Sequence, residues 1–302
     1  MYNRILFSFA LLATSFGFSE AAWDYFSAAQ SAEHEKNWKS VVHNCHVVVT
    51  TYENSPFASE ALFMMGVAYF EMGENELANE CFSDYLKKQT TPEEFEQAIR
   101  YKFEIARRFE DGAKMHLMGW KHMPKWLPAK DLAIEIYDEV VATLPRHELA
   151  SEGLYRKAHL LYELKDYKLA IDAYQALIRR FPKHARAPDS YLGIGKVYIK
   201  QCEEEFKDPQ YLDQAEINLR KFRADFPAED RLADAEQMLL DMKEKYAADL
   251  FETGEFFERT KKPQAAILYY HNIKNRYPGT EAAKKSEKRL SKLNYSNPQP
   301  SS

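Results

Sequence analysis

Carboxylates, histidines and three cysteines are the side chains of this chain that could do chemistry. Glu93-Glu94 and Glu203-Glu204-Glu205 could in principle supply a general acid and base. They fall on helix surfaces or turns, where runs of like charge are ordinarily solvated faces. No serine, histidine and aspartate share a recognisable nucleophile turn. A triad assembled from distant residues leaves no local trace. A hydrolase therefore needs a deep pocket with a perturbed carboxylate pair. Gly193-Ile194-Gly195-Lys196 resembles a fragment of a phosphate loop. It lacks the four-residue spacing, the following Ser/Thr and a preceding strand, and Gly195 is explained by close helix contact. His116 and His122 have no carboxylate or cysteine at ligand spacing. Cys45, Cys81 and Cys202 are odd in number and widely spaced, so they form neither a disulfide framework nor a metal site. Cys45 and Cys81 read as packed thiols. The reading is a chain with no catalytic residue, no cofactor and no metal.

What must position any site is repetition. In SEALFMMGVAYFEMGENELANECFSDYLKKQT, Leu62, Gly66, Tyr69, Ala78, Phe82 and Tyr85 stand at the spacing of a tetratricopeptide repeat, a helical hairpin of about 34 residues. Small Gly66 and Ala78 let two antiparallel helices approach, and Leu62, Tyr69 and Phe82 fill the gap. The pattern recurs. Leu144-Pro145, Phe181-Pro182, Phe226-Pro227 and Tyr277-Pro278 each end a hairpin, because proline lacks the amide hydrogen and pushes its predecessor out of helical geometry. Counting back from Pro182 puts Leu154, Ala158, Leu161, Ala170 and Tyr174 in the slots. Pro278 does the same for Leu250, Gly254, Phe257, Ala266 and Tyr270. One hairpin cannot bury its own apolar face, so the units stack. The fold class expected is an all-α tetratricopeptide-repeat superhelix of about six hairpins, with a C-terminal capping helix over Thr280–Leu293. Glu229–Glu258 reads as one long helix that feeds the last hairpin.

The chain has 302 residues, 45% hydrophobic content and a net charge of −5, enough apolar material for a core and no basic excess that would suit nucleic acid. Its start, MYNRILFSFALLATSFGFSEAAWDY, carries Arg4, a short apolar run and small residues Ser19 and Ala21. That is a secretory signal peptide over 1–21, with an uncleaved anchor as the alternative. N-terminal repeats are expected over 22–146 with an insert at 112–130, C-terminal repeats over 147–293, and a disordered tail at 294–302. The insert HLMGWKHMPKWLP (His116 to Pro128) holds two Trp, two Met, two Pro and two His. It reads either as a docking loop or as a flap folded onto the third hairpin. Residues Arg259 to Lys292 carry ten basic and two acidic side chains, a positive end for an acidic partner or simply a solvated helix face.

In such hairpins fixed positions of the first helix line the groove. They are Trp23, Phe26, Gln30 and Glu33 in the first repeat, Glu60, Phe63, Val67 and Phe70 in the second, and Glu152, Tyr155, His159 and Tyr162 in the fourth. The recurring aromatics suit an extended apolar peptide, or they pack between neighbouring hairpins.

From Asp208-Pro209-Gln210 to Tyr277-Pro278-Gly279-Thr280, the chain resembles the carboxy-terminal half of the BamD (ComL/YfiO) family. The order carries the resemblance: an aromatic-Pro hairpin end, a long charged helix, Gly254-Glu255-Phe256-Phe257, then a paired-alanine helix. It spans roughly residues 205 to 283. The resemblance implies a periplasmic scaffold on the inner face of the outer membrane, within the β-barrel assembly machinery. Its implied partners are an outer-membrane insertase with periplasmic repeat domains and unfolded outer-membrane proteins. The partner surface would include Lys243, Lys245, Asp249, Glu252 and Arg259. The substrate groove would lie at Phe26, Gln30, Phe63, Val67, Phe70, Tyr155, His159 and Tyr162. The family carries a lipid-bearing cysteine after its leader, whereas the first cysteine here is Cys45. Membrane association through partners is the expectation. A periplasmic repeat protein coordinating cell-wall synthesis or division is the alternative.

Overall fold

A computed structural model describes residues 20–88, 93–116, 124–204 and 208–296. The expected leader lies outside them except for Glu20 and Ala21, which open the first helix, and 297–302 of the expected tail lie outside as well. Two compact units divide the chain, Met1–Gly153 and Leu154–Ser302. The first holds α1 (20–34), α2 (Trp38–Thr51), α3 (Ala58–Glu71), α4 (Asn75–Lys88), α5 (Phe95–Glu110), a ribbon of β1 (Lys114–His116) and β2 (Lys125–Pro128), and α6 (Lys130–Thr143). Helix α7 (Glu148–Glu163) begins in the first unit and ends in the second. There it is followed by α8 (Tyr167–Arg180), α9 (Arg186–Glu204), α10 (Pro209–Asp225), α11 (Leu232–Arg259), α12 (Pro263–Arg276) and α13 (Glu281–Ser296). Apart from the ribbon, the described elements are helical, and the fold is all-α of the tetratricopeptide-repeat type.

Five of the hairpins share one turn. The residue leaving the first helix takes a left-handed conformation at Lys36, Gly73, Gly112, Lys165 and Lys261, with φ between 55° and 102°. The next amide reaches back to close the helix: Asn37 to the Ala32 carbonyl at 2.8 Å, Glu74 to Tyr69 at 2.9 Å, Asp166 to Leu161 at 2.9 Å, Lys262 to Phe257 at 2.9 Å. This Schellman closure satisfies carbonyls that the helix end would otherwise strand.

Ring against glycine sets the spacing within hairpins. A Cβ on Gly66 would stand 2.8 Å from the Phe82 ring, and one on Gly254 would stand 2.7 Å from the Tyr270 ring. Gly195, expected to be the close-contact glycine of the fifth hairpin, is not. Its Cβ would meet only the Met238 methyl, at 3.3 Å. Gly193 holds that role, since a Cβ there would stand 2.5 Å from the Tyr174 ring of the preceding hairpin. Close approach in α9 is demanded by the neighbouring hairpin's tyrosine, which lies outside the hairpin's own sequence pattern.

In the first unit a buried ammonium ties three helices. Lys102 of α5 is 1% exposed. It donates to Asn79 Oδ1 at 2.8 Å and Ser83 Oγ at 2.5 Å, and pairs with Glu139 of α6 at 2.6 Å. Burial holds its pKa below the ordinary 10.5. Three polar partners are what allow a charge this deep.

The insert, expected as a docking loop or as a flap on the third hairpin, is anchored to the second. The His116 amide donates to Glu76 Oε2 at 2.8 Å and its Nδ1 lies 2.6 Å from the same oxygen. Lys125 Nζ donates to the Gly73 carbonyl at 2.9 Å and pairs with Glu74 at 3.0 Å. The α3–α4 turn holds the insert through Lys125 and through the His116 amide and ring. Trp126 stays 68% exposed. Residues 117–123, including Trp120 and His122, lie outside the described residues.

In the second unit the Asp208-Pro209-Gln210 segment is a helix start. Asp208 caps α10 by accepting from the Gln210 amide at 2.9 Å, Pro209 fills the first turn, and Tyr246 of α11 donates to the Asp208 carbonyl at 2.6 Å. The N-terminus of α13 has two caps. Thr280 Oγ1 accepts from Ala283 N at 3.1 Å, and the Glu244 carboxylate accepts from the Glu281 and Ala282 amides at 2.6 and 3.0 Å. That capped start supports a helix reaching Ser296, beyond the Leu293 expected from sequence.

Candidate binding faces

The groove residues expected from sequence fall in both units. In the first, Phe26 does not face a groove. It is 2% exposed and stacks on Phe57 at 5.2 Å. Trp23, one turn away, is exposed, as is Tyr25. Gln30 is half-buried. Along α3, Phe63, Val67 and Phe70 form one half-buried stripe. Phe63 lies 5.3 Å from Tyr85 and 6.2 Å from Tyr101. Phe70 meets the Tyr101 edge at 5.0 Å and carries the Arg108 guanidinium 3.5 Å above its centre. Arg108 is fixed there by the Phe70 carbonyl at 2.8 Å and Asn75 Oδ1 at 3.1 Å. These rings fill the seam between α3 and α5 and leave one side to solvent. Tyr101 and Arg108 belong to the same face and were missed because α5 follows no aromatic-Pro mark.

In the second unit, Tyr155 and Tyr162 are half-buried and His159 is exposed. Tyr155 packs edge-on to Tyr174 at 5.9 Å beneath the Arg186 guanidinium at 4.6 Å. Tyr162 leans on Tyr167 at 6.2 Å, and His159 stands 3.6 Å from Glu163.

The expected partner surface on α11 splits by chemistry. Lys243 pairs with Glu216 of α10 at 2.7 Å, and Lys245 pairs with Glu203 of α9. Both hold α11 in place. Asp249, Glu252 and Arg259 face solvent. Glu252 lines a cleft of 520 Å³ between α11 and α13, with Glu244 and Glu255 on one wall and Lys285, Lys288, Arg289 and Lys292 on the other. Arg289 bridges Glu255 at 3.0 Å and Glu258 at 3.5 Å. Nearby in sequence, Phe256 and Leu268 are large exposed apolar side chains, Leu268 at 71%.

All three cysteines are buried. Burial, reinforced by Glu33, Cys81 and Glu60, pushes the Cys45 thiol up to about 12, so it is an inert core group. Among the described residues no group of three or more His, Cys, Asp or Glu could hold a metal ion, and no helix is long and apolar enough to cross a membrane.

Helical hairpins that pack ring on glycine, with aromatic and charged faces, define a repeat scaffold of the protein-binding class. Comparison with known families agrees. A tetratricopeptide-repeat model matches residues 60–89. The model of the YfiO family, described as an outer membrane lipoprotein, matches residues 131–297. The chain belongs to the YfiO outer membrane lipoprotein family. The match begins at α6, well before the segment near residue 205 where the resemblance was legible. No curated protein matches the chain in sequence. Among solved structures, a tetratricopeptide repeat protein from Parabacteroides merdae is 13% identical, with 91% of this chain and 99% of that one covered and a TM-score of 0.39. MamA is 15% identical, covering 69% and 93%, at 0.38. The apo form of RapI is 16% identical, covering 90% and 76%, at 0.37.

Proposed function

We infer that this chain is a non-enzymatic scaffold of outer-membrane β-barrel assembly, acting on the periplasmic face of the outer membrane. The second unit docks the insertase through the solvent side of α11, where Asp249, Glu252, Phe256 and Arg259 stand. The first unit receives unfolded outer-membrane proteins along Trp23, Phe63, Val67 and Phe70. The family match over residues 131–297 is the observation that carries this reading. The exposed rings of the first unit and the exposed apolar side chains of α11 and α12 support it, because such residues are enriched at interfaces. Lys243 and Lys245 are paired with Glu216 and Glu203 beside this surface.

The test is photo-crosslinking in cells from two positions, Phe256 and Trp23, followed by mass spectrometry. The expected captures are an insertase with periplasmic repeat domains from position 256 and unfolded barrel proteins from position 23. Recovery of peptidoglycan synthases at both would replace this reading with cell-wall coordination.

A further inference from the structure

Between α8 and α10 the second unit opens a groove of 370 Å³. Its floor is α9, which packs on both helices. Each wall presents one helix face, and the two faces read in the same order: an amide, an isoleucine, then a cation. On α8 they are Gln175, Ile178 and Arg179, and on α10 they are Gln214, Ile217 and Lys221. The middle of the groove is apolar. Ile194 and Tyr198 of the floor are buried, Ile178 is half-buried, and Ile217 stays 37% exposed.

The polar groups of the groove are unsatisfied within the fold. Among the described residues neither Arg179 nor Lys221 has an ion-pair partner, and neither Gln175 nor Gln214 makes a side-chain hydrogen bond. The acid at hand is already engaged: Asp225, one turn beyond Lys221, accepts from Tyr191 Oη at 2.5 Å and forms no ion pair with the lysine. Arg223, two residues from Lys221, is tied to Glu236 at 2.5 Å. The walls are fixed in place. Asn218 of α10 donates to the Tyr191 carbonyl of α9 at 2.9 Å, and the Tyr174 ring of α8 packs on Gly193 of α9. A groove held open in this way binds without the cost of ordering it.

An extended chain carries backbone N–H and C=O groups that a helix has already used internally, and glutamine side chains both donate to and accept from them. Its apolar side chain meets the isoleucines. A carboxylate beside that side chain meets two cations that otherwise have no acid, in charge-assisted hydrogen bonds. We propose that the α8–α10 groove binds an extended segment of a partner polypeptide through an apolar residue next to an aspartate or glutamate. The groove uses no residue of the α11 surface or of the α3 stripe, so this partner is additional to the insertase and client reading and does not depend on it.

The test titrates the full chain, with its isoleucine δ-methyls labelled for NMR, against a panel of end-capped octapeptides. Each peptide holds one apolar residue beside one glutamate, and each has a glutamine counterpart. Saturable shifts are expected at Ile178, Ile194 and Ile217 with the glutamate peptides. Binding at least about tenfold weaker is expected for the glutamine peptides and for the R179Q/K221Q variant, since each loses charge-assisted hydrogen bonds. Both replaced side chains are exposed, so the variant should keep the wild-type urea midpoint. No shift at these methyls with any peptide, equal affinity of the glutamate and glutamine sets, or undiminished binding by the variant overturns the proposal. Shifts with phosphatidylglycerol vesicles and with no peptide assign the two cations to a membrane surface and overturn it as well.

Discussion

Gly193 and Gly195 lie two residues apart on α9, and alanine at each should move stability in opposite directions. The gain in intrinsic helix propensity is the same at both, about 1 kcal/mol. It cancels in the comparison and leaves only what the new methyl meets. At 193 it stands 2.5–2.9 Å from three ring atoms of Tyr174, a buried side chain wedged against Tyr155. No real methyl sits that close, so the ring or the helix must shift, and overpacking of this kind costs roughly 1–3 kcal/mol. At 195 the methyl meets the flexible end of Met238 at 3.3 Å, which yields for a few tenths of a kcal/mol. G195A should therefore be neutral to more stable than wild type by up to about 1 kcal/mol. G193A should be less stable than G195A by roughly 1–3 kcal/mol. Urea unfolding followed by circular dichroism, with equal slopes, reads this as a shift in midpoint. Y174L should recover most of the G193A loss by opening space at the ring's outer end. If G195A proves the more damaging, or if Y174L rescues nothing, the ring-on-glycine account of hairpin stacking is wrong.

Two further outcomes rest on polar groups. K102A strips a buried stem and its charge from Asn79, Ser83 and Glu139 and should cost about 2–5 kcal/mol in denaturant unfolding, while K102M, which keeps the stem, should cost about 2 kcal/mol less. Because burial lowers the folded-state pKa of Lys102 below 10.5, the unfolded chain holds more protons in the window beneath that value; wild type should gain stability relative to K102M as pH rises towards 10.5, and a K102M deficit that narrows instead refutes the assignment. E244A removes the carboxylate that caps α13 and should cost about 1 kcal/mol, seen as faster amide exchange at Glu281 and Ala282 with α10 unaffected.

The repeat was legible because it is a local pattern. Gly66 and Phe82, and Gly254 and Tyr270, stand the same distance apart along the chain and meet in the same way. Aromatic-Pro pairs marked the hairpin ends, and the family resemblance rested on the ordered motifs of α10 to α12. The left-handed turn residue was also present, but three of its five occurrences are lysines, which carry no turn signature of their own. The binding faces were less legible. Position within a hairpin named Phe26 as a groove residue, yet the ring of Phe57 covers it; the family resemblance implied Lys243 and Lys245 as partner contacts, and acids on α10 and α9 pair with them.

Sequence alone therefore determined which helices form and how each pair closes, because both depend on residues within one hairpin length. Tertiary structure decided which glycine touches a ring, where the insert anchors, and that Glu60 shares a cleft with Glu93 and Glu94. Those contacts join residues of different hairpins, and their energies come from burial and charge at distances that periodicity along the chain does not encode.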